Sequence, residues 1–456
     1  MSITEKMSNL RDYFNSGITL DLKFREQVLK NLKQSIIRNE KEIFKALNQD
    51  LGKSETESYM SEVGLVLSEI SYCLKHFKKW AKPKKVRTPL AQFPAKSFMV
   101  YEPRGVVLIM SPWNYPFMLT MEPLVGAICA GNCCVLKPSN YSPCTSAIIR
   151  KIISECFDEN HVYVVLGGRE QNQELLDERF DYIFFTGGIT VGKVVAEKTS
   201  KYLTPITLEL GGKSPCIIEK SANVKLAAKR VVFGKFLNCG QTCIAPDYCL
   251  VDNSVKQEFI ECVKLEIVKM FGKNPIDNNL YGKIINQKHY DRIMGLIDSN
   301  KVVFGGKGNK ESNKIEPTIL NNVTLADAVM QEEIFGPVLP IIGINGLNEA
   351  KNIIKNFGKP LALYLFTTNK KVEKDILNNI SFGGGCINDT IIHIATSRMP
   401  FGGVGYSGLG NYHGKFSFDT FSHLKPIVKK SNKIDLPMRY QPYSKENYKI
   451  IKMFLK

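Results

Sequence analysis

Between residues 22 and 49, apolar side chains such as Val28, Leu32 and Ile36 return at one-turn spacing among polar ones, a period that predicts helix. Asn39 followed by Glu42 resembles a capping pair, so a second helix opens there. From residue 105 the pattern changes. Short apolar runs at Val106 to Met110, Cys134 to Leu136, Val162 to Val165 and Tyr182 to Phe185 alternate with amphipathic stretches of helical length. That alternation predicts βαβ units around a parallel sheet, an α/β doubly wound fold. A second alternating region runs from Pro215 to about residue 410. The segment 84 to 100 carries Pro89 and Pro94, ends in Phe98-Met-Val100, and leaves the first body before its sheet begins. Residues 417 to 431 form another β-like run, and no internal repeat interrupts the order.

Ligands of such sheets bind beyond the carboxyl ends of the strands. Asn114 follows the first apolar run, Lys137 the second, and Gly187-Gly188 the fourth. With 456 residues, 44% of them apolar, the chain is too long for one simple core, and two or three domains are expected. No apolar stretch reaches the roughly eighteen residues of a membrane span, and the start, Met1-Ser-Ile-Thr-Glu-Lys, lacks a secretory pattern. A cytoplasmic enzyme is expected. Twelve cysteines lie scattered, with Cys133 and Cys134 adjacent, as in a protein of reduced thiols. The net charge of +17 admits nucleic acid or an anionic surface as partners, yet lysines are spread from Lys6 to Lys456 and no nucleic-acid motif accompanies them. The denser runs, Lys78 to Arg87 and Lys425 to Lys433, are read as exposed edge or linker charge. Neither a nucleic-acid partner nor an integral membrane segment is expected.

The chemistry centres on Phe236-Leu-Asn-Cys-Gly-Gln-Thr-Cys243, about thirty residues after Leu208-Glu209-Leu-Gly-Gly-Lys-Ser-Pro215. A thiol and a carboxylate that can reach each other, directly or through water, suit covalent chemistry on a carbonyl. A zinc site built on Cys239, Cys243 and Cys249 lacks a fourth ligand at suitable spacing. Phe184-Phe-Thr-Gly187-Gly188-Ile-Thr-Val-Gly192-Lys193 follows a strand and opens a helix, a good geometry for a pyrophosphate. It nearly matches a P-loop, but Val194 stands where Mg²⁺ needs a hydroxyl, which argues against an NTPase.

These two segments, together with Pro112-Trp-Asn-Tyr-Pro116, Val135-Leu-Lys-Pro-Ser139, Glu332-Glu-Ile-Phe-Gly-Pro337 and Pro400-Phe-Gly-Gly-Val-Gly-Tyr-Ser-Gly408, resemble the signatures of the NAD(P)-dependent aldehyde dehydrogenase superfamily, in its order and spacing. The short amino-terminal arm, Thr242-Cys-Ile-Ala-Pro-Asp-Tyr248 and the ending around Arg439-Tyr-Gln-Pro-Tyr443 are most similar to its class 3 branch. The resemblance implies oxidation of medium- to long-chain or aromatic aldehydes to carboxylic acids. It implies Cys243 as nucleophile, Glu209 as the base that activates the hydrolytic water, and Asn114 with the Cys243 N–H as oxyanion donors. It implies NAD or NADP held by Lys137, Asn140, Gly187, Gly188, Gly192, Glu333 and Phe335, with Tyr115 and Phe401 lining the aldehyde tunnel. Gly188 and Ile189 replace the family's serine and threonine, so a hydroxyl contact to the pyrophosphate is missing. Asn140 replaces a frequent glutamate and so favours use of NADP beside NAD.

The expected domains are a coenzyme-binding domain at 1–82 and 101–211, a catalytic domain at 212–412, bridging segments at 83–100 and 413–434 that join a homodimer, and a tail at 435–456. Two rival functions remain: a dehydrogenase that passes its acyl group to coenzyme A, which Glu209 argues against, and a structural or nucleic-acid-binding relative without turnover.

Overall fold

The structure, a computed structural model, describes residues 2–455. Its first sheet has six strands, in the order Gly408–Leu409, Ile206–Leu210, Tyr182–Gly187, Val106–Met110, Cys133–Lys137 and Val162–Val164. All pair in parallel except Gly408–Leu409, which runs against the Glu209 strand and sets Gly408 opposite Glu209. The four apolar runs of the sequence are strands here. Their side chains are buried on both faces, as a sheet covered by helices on each side requires. Val107 and Ile109 pack with Leu29, Ile70 and Leu124 from helices Leu22–Arg38, Gly64–Trp80 and Met118–Ala130. Val106, Leu108 and Met110 turn the other way, onto Met7, Leu175 and Val195 from helices Ile3–Asn15, Arg169–Asp177 and Ile189–Ser200. The winding changes direction at Val106–Met110, whose neighbours are Cys133–Lys137 and Tyr182–Gly187. The crevice at that switch point is where such folds take ligands.

The second sheet has seven strands, in the order Val302–Phe304, Thr318–Leu320, Val338–Ile344, Tyr248–Asp252, Pro215–Ile218, Ala362–Phe366 and Gly384–Ile387. It is parallel apart from its first strand. It too is covered on both faces: Cys216 and Ile218 face Val231 and Val263, while Ile217 packs with Ile293 and Ile354. A third sheet joins Lys84–Val86, Ala95–Pro103 and Ser422–Lys430 in antiparallel order, with nine residue pairs between the two long strands.

Two local expectations change. Asn39 does stand between helices Leu22–Arg38 and Glu40–Leu51, but its amide turns back to the Ser35 carbonyl (2.9 Å) and the Glu155 carboxylate (3.1 Å) and leaves the next helix uncapped. The run from 417 begins as helix Gly414–Thr420 because Phe418 is needed in the core, and it turns into strand only at Ser422. All twelve cysteines are free thiols. Among the described residues no helix is long and apolar enough to cross a membrane.

Candidate active site

Helix Val224–Phe236 ends in a turn in which Asn238, Cys239 and Gly240 take φ values of 50°, 53° and 73°. A side chain at Gly240 would strike the Gly336 carbonyl, so the turn is closed to larger residues there. Gln241 then locks the loop from within. Its amide donates to the carbonyls of Asn238 (3.0 Å) and Lys283 (3.1 Å), and its Oε1 accepts from Ile285 N–H (3.0 Å). Asn114 Nδ2 donates to the Gln241 carbonyl (2.9 Å), Tyr115 and Thr242 share a hydroxyl hydrogen bond (2.7 Å), and Tyr364 donates to the Ile244 carbonyl (2.5 Å). Every residue flanking Cys243 is thereby fixed, while the thiol itself stays half-buried.

Two cavities meet at this thiol. One, of about 390 Å³, lies in the switch-point crevice between the two large sheets, bounded by Trp113 and Asn114, Gly187 and Gly188, Gly211, His289 and Arg292, and Glu333 and Phe335. The other, of about 170 Å³, is lined by Met60, Leu65, Tyr115, Met118, Phe233, Ile391, Phe401 and Tyr412. Cys243, Glu209, Thr186 and Leu119 border both.

Glu209 is 4% exposed, and neither of its carboxylate oxygens has a hydrogen-bond partner in the protein. Burial therefore raises its pKa well above the usual carboxylate range. Burial also raises the Cys243 thiol, and the carboxylates of Glu333 and Glu209 add to the shift, while the backbone N–H groups of Cys243 and Ile244 pull the other way. Glu333 is pushed up to about 8 by burial and by Asp247. Three groups around the junction thus hold their protons near neutrality more tightly than they do in water.

Two sequence blocks are stitched together behind Glu333. Lys213 pairs with Asp247 (2.5 Å) and donates to the carbonyls of Val329 (3.0 Å) and Glu332 (2.8 Å), and Asp247 accepts from Ile334 N–H (3.0 Å). Arg292 holds Glu332 (2.9 Å) and the Ile334 carbonyl (2.7 Å). The Glu333 carboxylate then lies where a Gly211 side chain would stand, so a larger residue there would displace it. Phe335, at φ 48°, packs edge-on to Trp113 at 5.4 Å.

The residues expected from sequence divide into two groups. Cys243, Glu209, Asn114, Tyr115, Phe401, Gly187, Gly188, Glu333 and Phe335 all border one cavity or both. Lys137, Asn140 and Gly192 border neither. Lys137 is buried and donates to the carbonyls of Gly167 (2.7 Å) and Pro138 (3.0 Å), and burial lowers its pKa to about 8. Asn140 is exposed, its amide beside Gly168. Gly192 lies in helix Ile189–Ser200, where a side chain would meet Leu210 at 2.6 Å. Its smallness serves the packing of helix on strand.

Sequence reasoning missed Tyr412, which pairs with Phe401 through both backbone hydrogen bonds (3.0 and 2.9 Å) to build one cavity wall. It also missed Ile391, a β-branched residue at φ 49° that lines the same cavity.

A dinucleotide fits the larger cavity on the protein's own features. The amino end of helix Ile189–Ser200 faces it, nothing lies within 4 Å of where a Gly188 side chain would point, and the buried Thr186 hydroxyl has no protein partner.

The model of the Aldehyde dehydrogenase family matches residues 4–427. The chain is 46% identical, over all of its length and 99% of the relative's, to 4,4'-diaponeurosporen-aldehyde dehydrogenase of Staphylococcus aureus. It is 45% identical to a rat (Rattus norvegicus) protein named aldehyde dehydrogenase, dimeric NADP-preferring, over 97% of this chain and 98% of that one. A solved structure described as the substrate bound state of Staphylococcus aureus AldH superposes with a TM-score of 0.98 at 46% identity, covering 100% of both chains.

Proposed function

The chain belongs to the aldehyde dehydrogenase family and oxidises aldehydes to carboxylic acids with NAD or NADP, and from that premise we propose which residues divide the work. Cys243 is the nucleophile: its thiol releases its proton to water at the junction, the thiolate attacks the aldehyde carbon, and the oxyanion that develops is met by the Asn114 amide and the Cys243 backbone N–H. When bound, the oxidised nicotinamide supplies the hydride acceptor that converts the thiohemiacetal on Cys243 to a thioester. Glu209 takes a proton from water as that water attacks the thioester carbon, the C–S bond breaks, and the acid leaves. The Gly187-Gly188 turn, Glu333 and Phe335 hold the coenzyme, with Lys137 and Asn140 at its adenosine end and Gly192 keeping the helix close.

The observation that carries this reading is the junction: one half-buried thiol and one unpartnered carboxylate border both cavities, and nothing else of that chemistry does. Substrates are apolar aldehydes of aliphatic or aromatic type, because the smaller cavity offers side chains such as Leu65, Met118, Phe233 and Ile391 and almost no polar groups beyond the junction.

On the same reading, 1–82 and 101–211 form the coenzyme-binding domain, 212–412 the catalytic domain, and 83–100 with 413–434 the bridge of a cytoplasmic homodimer, with 435–456 as tail. The dimeric state in the rat relative's name supports the last point. The test is absorbance of NAD(P)H formed with a panel of aldehydes and both coenzymes. Apolar aldehydes turned over without coenzyme A support the reading. A requirement for coenzyme A, or preference for charged aldehydes, contradicts it.

A further inference from the structure

We infer that the buried Lys53–Glu62 pair is a positioning device for the oxyanion site, setting the Asn114 amide against the Cys243 loop; this rests on the role proposed above for Asn114. Both side chains are 0% exposed and meet at 2.5 Å. Glu62 lies in a π-helical turn, Tyr59–Val63, that follows helix Glu55–Ser58. Such turns carry one extra residue and recur at functional sites. This one gives Met60 and Ser61 to the apolar cavity and points Glu62 inward.

The pair holds residues 114 to 118 at three places. Glu62 Oε2 accepts from the N–H groups of Phe117 (2.8 Å) and Met118 (3.2 Å). It thereby caps helix Met118–Ala130, whose own cap residue, Phe117, offers no side-chain hydrogen bond. Lys53 Nζ donates to the Asn114 carbonyl (3.0 Å) and sits 4.0 Å above the Tyr115 ring. The same carbonyl accepts from Asn238 Nδ2 (2.7 Å), and Asn238 N–H in turn donates to Glu57 Oε1 (2.8 Å). One short stretch of chain therefore grips both segments whose relative placement sets the distance between Asn114 and Cys243.

Stability does not explain the pair. A buried ion pair gives up hydration that its attraction scarcely returns, and apolar residues of similar size often serve a fold equally well. What apolar residues cannot do is donate to the Asn114 carbonyl or accept from Phe117 and Met118. Catalysis is sensitive to such placement: a shift of about 1 Å in a reacting geometry costs on the order of a hundredfold.

The experiment is a double-mutant cycle between the pair and Asn114. Lys53→Met/Glu62→Gln, Asn114→Ala and their combination are compared by pre-steady-state NAD(P)H formation, with coenzyme binding measured separately. The pair substitution is expected to lower the burst rate per active site about 10- to 100-fold, with burst amplitude and coenzyme dissociation constant unchanged. With Asn114→Ala already present, it should change the burst rate by less than about twofold. If the paired variant does not accumulate as folded enzyme, Glu62→Gln alone should lower the burst rate in the same direction.

A fall in amplitude alone, or an equal fall in the Asn114→Ala background, would show a merely structural pair and overturn the inference. A full effect of Asn114→Ala with none from the pair overturns the inference and leaves the Asn114 role standing. No effect of Asn114→Ala overturns both.

Discussion

The two cavities at Cys243 differ in what builds them. The larger sets polar groups, the Gly187-Gly188 turn, Glu332, Glu333, Arg292 and His289, among apolar ones such as Trp113, Ile189, Leu210 and Phe335. The smaller is made of apolar side chains from distant places, Met60, Leu65, Phe233, Ile391 and Phe401 among them. A charged cofactor can be held by dipoles and a few ionic contacts, whereas an apolar aldehyde gains affinity by leaving water. The division also explains the junction. Cys243 and Glu209 stand where the mixed cleft meets the apolar one, so the carboxylate is desolvated and its pKa raised, which suits the role of base proposed for it.

The largest effect should come from removing the thiol. Cys243→Ala should lower turnover at least about a thousandfold and leave coenzyme binding intact, measured by turnover and by equilibrium titration with NAD⁺. A comparable loss in Cys239→Ala with none in Cys243→Ala would move the nucleophile elsewhere. Glu209→Gln should come next, with steady-state rates reduced by about 10² to 10⁴ after a normal NAD(P)H burst.

The same variant carries a pH argument. A raised carboxyl pKa means that the fraction of active base grows as pH climbs through the folded value, so native kcat should rise with pH through that window and the Glu209→Gln profile should flatten. Stability moves oppositely. Below the ordinary carboxylate pKa both folded and unfolded chains carry the proton, and Glu209 costs nothing; as pH rises towards the raised folded value, the unpartnered carboxyl progressively opposes folding. Glu209→Gln should therefore raise the thermal midpoint at pH 7 to 8 and leave it unchanged near pH 4, as calorimetry can check.

Smaller effects separate the cavities. Met60 is 45% exposed at the apolar cavity, so Met60→Asp should spare the fold and lower kcat/KM for apolar aldehydes about 10- to 100-fold. The KM for coenzyme should not move; equal loss on both sides would mean that the cavities are not separate sites. The smallest effect concerns Asn140. Both coenzymes should be used, NADP⁺ at least comparably to NAD⁺, and Asn140→Glu should shift the ratio of kcat/KM towards NAD⁺ by up to about tenfold, since position 140 is exposed and the charge introduced there is well screened. Strict NAD⁺ use by the native enzyme, or no shift in the variant, would remove residue 140 from coenzyme choice.

The larger cleft was largely legible in the sequence, because contiguous blocks make it: a strand end, a glycine pair and a helix start form Tyr182–Gly187 and its continuation. The thiol and carboxylate proposed as nucleophile and base stand out in the sequence for the same reason, each inside a compact block. The apolar wall was not. Tyr412 and Ile391 reach it only through a backbone pairing with Phe401 and a left-handed turn, neither of which has a local pattern. Lys53 and Glu62 were invisible because isolated charges read as solvent-facing, and only the packing of the loop and the π turn against residues 114–118 buries them. Asn39 shows the converse, a good local capping pattern lost to Ser35 and Glu155.

The central claim is that acyl transfer passes through Cys243 and is released by Glu209. Its most direct test is peptide mass spectrometry of Glu209→Gln quenched after one turnover with an apolar aldehyde and NAD⁺. The account predicts the acyl mass on Cys243 itself, assigned by fragmentation of its peptide, at near one equivalent per active site, and its absence from native enzyme treated alike. An acyl group on Cys239 or Cys249, or no acyl-enzyme at all alongside undiminished turnover, would contradict it.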